Sequence, residues 1–254
     1  MRLQNKVAVI TGAGSGMGRA MALLFAQEGA KLVAGDWNQS TLEDVVTSVR
    51  AGGGEIVGVQ SNVAVRAEAE RLVDTAISSF GRIDILCNNA GVMDLNQGVG
   101  ELSDEIWQRV LSINLDGPMF ASRRAVPQMV AQGGGSIINV GSIASLSGGA
   151  AGAAYTTSKH ALAGLTRNTA WIYGPRGVRC NLIAPGGVET NIATSVDLSK
   201  FDPYGTERAR VFQAIMPGML QPLDIAYLAL FLASDESRHI NGTIIPADAG
   251  WLAA

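Results

Sequence analysis

Tyr155 and Lys159 stand four residues apart in a segment whose apolar period predicts a helix from Ala153 to Tyr173. Their side chains therefore share one helix face, one turn apart. A phenol with a pKa near 10 gives up its proton at neutral pH only beside a positive charge, and a lysine ammonium one turn away is such a charge. The spacing alone also fits a tyrosine packed on a lysine stem. Position adds to it: Ser142 falls two residues past a predicted strand ending at Val140 and 13 residues before Tyr155, where doubly wound parallel sheets bind their ligands. His160 is five residues from Tyr155, roughly 140° around the helix, so it faces packing or a neighbouring subunit and not the same chemistry.

A second constellation opens the chain. Thr11-Gly12-Ala13-Gly14-Ser15-Gly16-Met17-Gly18 joins the first predicted strand to the first predicted helix, where free backbone N–H groups and the helix dipole can hold a pyrophosphate. Met17 occupies the place of the third glycine in G-x-G-x-x-G, so the pattern is T-G-x-x-x-G-x-G, with Gly12, Gly16 and Gly18. Asp36 ends the second strand, 18 residues after Gly18, where a carboxylate can accept from both hydroxyls of an adenosine ribose. A 2′-phosphate there would meet a like charge. Neither Ser15 nor Trp37 compensates, and Arg19 is the nearest cation, so NAD is expected over NADP. Asn62 and Val63, just past the third strand, are placed to flank the adenine, although a strand-end Asn is also a common turn residue.

Together the T-G-x-x-x-G-x-G turn, Asn88-Asn89-Ala90-Gly91, Asn114, Ser142, Tyr155-x-x-x-Lys159 and Pro185-Gly186 resemble the short-chain dehydrogenase/reductase family, in its single-domain branch, along the whole chain. The resemblance implies that Tyr155 is the general acid in ketone reduction and the general base in alcohol oxidation, with Ser142 hydrogen-bonding the same substrate oxygen. It implies that Lys159 stabilises the phenolate and holds the nicotinamide ribose, and that Asn114 keeps a water connecting Lys159 to solvent. On the residues alone, Asn114 is equally a packing feature of its helix, which the nearby Pro118 makes irregular. Asn89, Ala90 and Gly91 would shape the cofactor cleft, and Pro185, Gly186, Val188 and Thr190 would hold the nicotinamide carboxamide.

Strand-like and helix-like runs alternate along the chain. Strands are predicted at Val7–Thr11, Lys31–Asp36, Glu55–Gln60, Ile83–Asn88, Ile137–Val140, Val178–Ile183 and Thr243–Pro246. Helices are predicted from Met17 to Gln27, ended by a left-handed Gly29; from a Ser40/Glu43 capping box to Arg50, stopped by Gly52–Gly54; and from about Val65 to Phe80. Others run from beyond Ser103 until Gly133–Gly135, from Ala153 to Tyr173 and from Asp224 to Ala233. The expected fold is α/β: a Rossmann-type doubly wound seven-stranded parallel sheet with helices on both faces, forming one domain over 1–254. The stretch from about 191 to 220 interrupts this alternation and reads as a substrate lid, or alternatively as a surface helical excursion packed on the body.

Composition narrows the partners. A formal charge of −3 without a basic cluster gives no reason to bind nucleic acid or anionic lipid. The longest apolar run, Ile225 to Ala233, is far short of the roughly 20 residues that span a bilayer. With a strand starting at Val7, no signal peptide is expected and the reading is cytoplasmic. Cys87 and Cys180 read as buried thiols, and two histidines without ligand spacing argue against a metal. Pocket candidates Met93, Ile143, Leu146, Tyr204, Phe212 and Met216 are mainly apolar, which favours an apolar or mixed alcohol or ketone. A 3-oxoacyl carrier-protein reductase is the alternative enzyme, with Ser15 and Trp37 against the basic residues its NADPH preference would bring. A dinucleotide sensor without turnover is the alternative outside catalysis, and pairing of the long crossover helices leads us to expect a homotetramer or homodimer.

Overall fold

Val7–Thr11 are buried at every position and form β1, which alternates between two cores. Ala8 and Ile10 point to one face of the sheet, where α1 (Gly16–Gln27), α2 (Gln39–Ala51) and α8 (Pro222–Ala233) supply Phe25, Leu42 and Leu230. Val7 and Val9 point to the other, where α3 (Arg66–Phe80), α5 (Gly117–Ala131) and α6 (Ala153–Tyr173) supply Leu72, Met129 and Ala170. Such two-sided burial is why the inner strands read as continuous apolar runs. The computed structural model describes residues 1–190, 192 and 196–253.

The remaining strands are β2 (Lys31–Asp36), β3 (Ile56–Gln60), β4 (Ile85–Asn88), β5 (Gly135–Val140), β6 (Val178–Pro185) and β7 (Ile244–Ala247). All pair in parallel in the order β3-β2-β1-β4-β5-β6-β7, the predicted seven-stranded doubly wound sheet. The chain reverses its direction of travel between β1 and β4, which opens a crevice beyond their carboxyl ends. Beneath that crevice, Asn88 on β4 donates to Ser122 Oγ at 3.1 Å and to the paired Asn139 Oδ1 at 2.8 Å. Asn139 donates in turn to Thr166 Oγ1 on α6 at 2.8 Å, so one buried polar ladder ties two strands to two helices.

Several element ends differ from expectation, among them β6, which runs on to Pro185, and α8, which starts at Pro222; four differences have a local physical reason. Helix α2 is capped by Asn38, whose side chain accepts from the N–H groups of Ser40 and Thr41, so Ser40 lies inside the helix and Glu43 instead accepts from Gln39. Gly135 belongs to β5; Gly133 and Gly134, both at positive φ, make the turn alone. The helix after Ser103 is interrupted: α4 (Asp104–Leu111) passes into a π turn at Ser112–Asp116 before α5 begins with Pro118 in its first turn. β4 starts at Ile85, two residues late, because Asp84 turns its carboxylate to the Val7 N–H (2.8 Å) and to Arg82.

Within 191–220, residues 191 and 193–195 lie outside the described residues, as does 254 at the chain end. The described part contains α7 (Pro203–Gln213), capped by Asp202 accepting from the Gly205 N–H at 2.6 Å. Among the described residues, no helix is long and apolar enough to cross a membrane.

Candidate active site

The glycine turn is shaped by what presses on it. Gly12 and Gly16 take positive φ, and a Cβ on Gly12 would lie 2.9 Å from Ala90 Cα. A Cβ on Gly18 would overlap the Gly12 carbonyl oxygen, so α1 can sit this close to β1 only without it. Thr11 Oγ1 accepts from the N–H groups of Asn89 and Ala90, both at 3.0 Å, and the Asn89 amide donates to the carbonyls of Thr11 and Gly12. These bonds pin the Asn88–Gly91 run onto the turn. Ser15 caps α1 with its backbone only and the first turn carries no acidic residue, so among the described residues its N–H groups have no side-chain acceptor.

Asp36 is buried at the tip of β2, accepting from Gly14 N–H at 2.8 Å and Asn38 N–H at 2.9 Å. From it opens a cavity of about 1210 Å³ lined by Gly12, Ser15, Gly16, Met17, Asp36, Asn62, Val63, Asn89, Ala90, Gly91 and Thr190 among the sequence candidates. Thr190 reaches across from the far side: its methyl would be 3.1 Å from a Cβ on Gly16. The other candidates from that segment do not line this cavity. Pro185 ends β6, Gly186 donates to the Ala247 carbonyl at 2.9 Å, and Val188 bridges to Leu220.

The chemical corner lies where β5 meets α6. Ser142 caps a short 3-10 turn, Ile143–Ser145, its hydroxyl accepting from Ala144 N–H at 3.1 Å and lying near the Tyr155 side chain. Burial pushes the Tyr155 phenol up to about 12; the nearby Ser142 hydroxyl pulls it down, and the Asp94 carboxylate adds to the rise. Lys159, 3% exposed, donates to the Val140 carbonyl at 3.0 Å and lies 5.4 Å from the Tyr155 ring centre. Burial lowers its pKa to about 8. Asn114, fully buried in the π turn, accepts from Val92 N–H (2.9 Å) and donates to Val92 O (3.0 Å) and Ser158 Oγ (3.2 Å). Ser142, Tyr155, Lys159 and Asn114 lie around one corner, and a Cβ on Gly91 would touch both Asn114 Oδ1 and Lys159 Nζ.

A family model described as enoyl-(acyl carrier protein) reductase matches residues 12–252. The chain is 40% identical to the short chain dehydrogenase adrF of Penicillium rubens, covering 98% of each. It is 38% identical to 3beta-hydroxysteroid dehydrogenase 2 of Eggerthella lenta, covering 99% of this chain and 96% of that one. Among solved structures, levodione reductase superposes with a TM-score of 0.90 at 34% identity over the full length of both chains. The chain belongs to the short-chain dehydrogenase/reductase family. Another structure, described as an NAD(P)-dependent gluconate 5-dehydrogenase of Beutenbergia cavernae with NADP bound at low occupancy, gives a TM-score of 0.87 at 36% identity, covering 99% and 98%.

This short-chain dehydrogenase/reductase carries a cleft that fits a nicotinamide dinucleotide on its own geometry. The cavity runs from Asp36 past the bare first turn of α1 to Gly91, and Ser61 Oγ and Asn89 Oδ1, at its edge, have no partner among the described residues. Sequence reasoning missed several lining residues: Asn38, Thr41, Gln60, Ser61, Glu68, Arg71, Arg109, Ile113 and Ile192. It also missed Asp94, because a lone acid among apolar neighbours carries no spacing signal.

The apolar wall near Tyr155 includes Met93, Val92, Trp107, Ile106 and Ala150. Ile143 is buried directly after Ser142, Phe212 packs on Gly149 and stacks on Trp251, and Met216 Sδ faces Gly187. Leu146 and Tyr204 are exposed, Tyr204 by 71%, so the structure does not bring them together with the others.

Proposed function

We propose that this oxidoreductase interconverts a secondary alcohol and a ketone with NAD(H), Tyr155 acting as general acid in reduction and general base in oxidation. The observation that carries the reading is the buried corner in which the Tyr155 side chain has the Ser142 hydroxyl and the Lys159 ammonium as its neighbours.

In ketone reduction, Ser142 and Tyr155 hydrogen-bond the carbonyl oxygen and Tyr155 passes its proton to that oxygen as it becomes an alcohol. Lys159 stabilises the phenolate left behind and holds the nicotinamide ribose. Bound in the cleft, the nicotinamide supplies the hydride in reduction and accepts it in oxidation. Lys159 would then return a proton to the Tyr155 phenolate and regain one from solvent through a water that Asn114, its side chain committed to Val92 and Ser158, would hold by its backbone. Asp36 would take the adenosine ribose hydroxyls, favouring NAD over NADP because its charge would meet a 2′-phosphate. Gly12, Ser15, Gly16, Met17 and Gly18 would cradle the pyrophosphate, and Pro185, Gly186, Val188 and Thr190 the carboxamide.

The apolar wall favours an apolar or mixed ring substrate. Relatives whose names specify a hydroxysteroid and levodione support this, and the name gluconate 5-dehydrogenase points the other way. We further read the chain as one cytoplasmic domain over 1–254 with a lid at about 191–220, assembled as a homotetramer or homodimer. Trp171 supports the assembly: it is 81% exposed on α6, whose Gly164 meets nothing within 4 Å.

Stopped-flow single turnover with NADH and a panel of steroid, aryl, aliphatic and sugar ketones tests the activity. Binding of NADH without oxidation by any of them would replace this reading with the sensor. Best turnover on a charged sugar acid would overturn the apolar reading alone.

A further inference from the structure

Between β4 and α4, the segment Asp94–Gln97 bonds to two helices remote from each other in sequence. Toward α6, Asp94 is fully buried and accepts from Gly152 N–H at 3.1 Å and Tyr155 N–H at 2.9 Å, while Gln97 O accepts from Ala153 N–H at 2.8 Å. These are first-turn donors that α6 cannot satisfy from within, and its N-cap, Gly152, has no side chain to help. A carboxylate taken wholly out of water is tolerable here because N–H groups and the positive end of α6 surround it. A Cβ on Gly152 would lie 2.6 Å from Asp94 Oδ2, so the fit has no slack.

Toward α7, Leu95 O accepts from Asp202 N–H at 2.9 Å and the Asn96 amide donates to Thr206 Oγ1 at 3.4 Å. Gly205 lies so close against Asn96 that a Cβ would overlap the Asn96 carbonyl oxygen. Asp202 is also the residue that caps α7. Asp94 turns the segment between its two jobs by accepting from Asn96 N–H at 3.0 Å, with Asn96 at positive φ.

We propose that Asp94 is a positioning residue for Tyr155 and that the Asp94–Gln97 strap couples α7 to it, so that displacement of α7 over the substrate is felt at the phenol. This rests on the reading of Tyr155 as the acid/base, and it adds a residue and a route of communication. Among the described residues, the charged and titratable groups around Tyr155 are Lys159 on its own helix and Asp94 on the strap, with the Ser142 hydroxyl nearby on the β5–α6 connection and Arg109 of α4 lining the adjoining cavity.

Hydrogen exchange on the full chain without ligand, comparing wild type, Gly205→Ala and Asp94→Asn, tests the coupling. Coupling is reciprocal: Gly205→Ala should speed exchange at the amides of 152–155 about tenfold, and Asp94→Asn should do the same at 202 and 206, with β1 and α8 unchanged. Effects confined to 202–206 in the first variant, or to 152–155 in the second, would overturn it. If Gly205→Ala also loosens β1 or α8, Thr206→Val, which removes only the bond to Asn96, is judged on the same two criteria.

Phenolate absorbance, with Tyr155→Phe as the blank, separates positioning from mere helix capping. Asp94→Asn should move the Tyr155 midpoint acidward by about half a pH unit or more, and an unmoved midpoint leaves Asp94 a cap only. None of these readings uses turnover, so a chain inert toward every alcohol and ketone would sink the proposed activity while leaving the exchange result to stand or fall by itself.

Discussion

The Lys159 ammonium lies 5.4 Å from the centre of the Tyr155 ring and is held there by the carbonyl of Val140, two residues before Ser142. The end of one strand therefore positions both groups that act on the phenol. Among the described residues Lys159 pairs with no carboxylate, so its charge is not neutralised before it reaches Tyr155. Its burial in turn makes that charge act at a low local dielectric.

Tyr155→Phe removes the proton donor and leaves the ring packing in place. Turnover should fall by about a thousandfold, while NADH affinity measured by fluorescence titration stays within about twofold. Lys159→Ala should damage both quantities. Equal loss of NADH binding in the two variants would contradict the division of labour between them.

Ketone reduction should depend on pH through Lys159. Burial lowers its pKa to about 8, so the ammonium is present below that pH and disappears above it; Tyr155, pushed up to about 12, stays protonated throughout. The initial rate with saturating NADH should be level on the acid side and decline above about pH 8. A rate that rose with pH through that point would show that another group controls the step.

Asp36→Ala should weaken NADH and narrow the preference over NADPH by about tenfold, through loss of the ribose acceptor and of the repulsion toward a 2′-phosphate. The same substitution frees the N–H groups of Gly14 and Asn38, and loss of these bonds should cost about 1–3 kcal/mol of stability in a urea titration. Unchanged kcat/KM ratios for the two cofactors would remove Asp36 from specificity.

Gly18→Ala sets a methyl against the Gly12 carbonyl oxygen. Stability should drop by about 1–3 kcal/mol. Dinucleotide binding should drop with it, since α1 must move off β1. Gly53→Ala provides the contrast: unlike Gly18 it sits at positive φ, but it has open space around it, so it should keep full NADH affinity.

What could be read from the sequence followed the reach of each interaction. β1 and β2 have the bounds their patterns predict, and Gly29 ends the first helical segment at positive φ, because periodicity and turn chemistry are local. Tyr155, Lys159 and Ser142 were legible because a short spacing and a strand end fix them. The cap of α2 fell two residues before the expected Ser40, because Asn38 is an equally good cap type and its side chain accepts from Ser40 and Thr41 N–H. The π turn at Asn114 and the burial of Asp94 depend on partners far along the chain, Val92 and Ser158 for one and the start of α6 for the other. Pro118 signals an irregular helix near Asn114 but not its π geometry, and no local pattern announces the burial of Asp94.

The ladder from Asn88 through Asn139 to Thr166 has a consequence for redesign. Directional bonds fix the heights of β4 and β5 relative to each other, so the two loops mounted on those strand ends share a common reference level that core repacking does not reset. Of the apolar wall near Tyr155, Ile106 and Trp107 hang from another segment, α4. New substrate shapes can thus be selected by exchanging that wall, with the acid/base corner carried over unaltered as a fixed chassis.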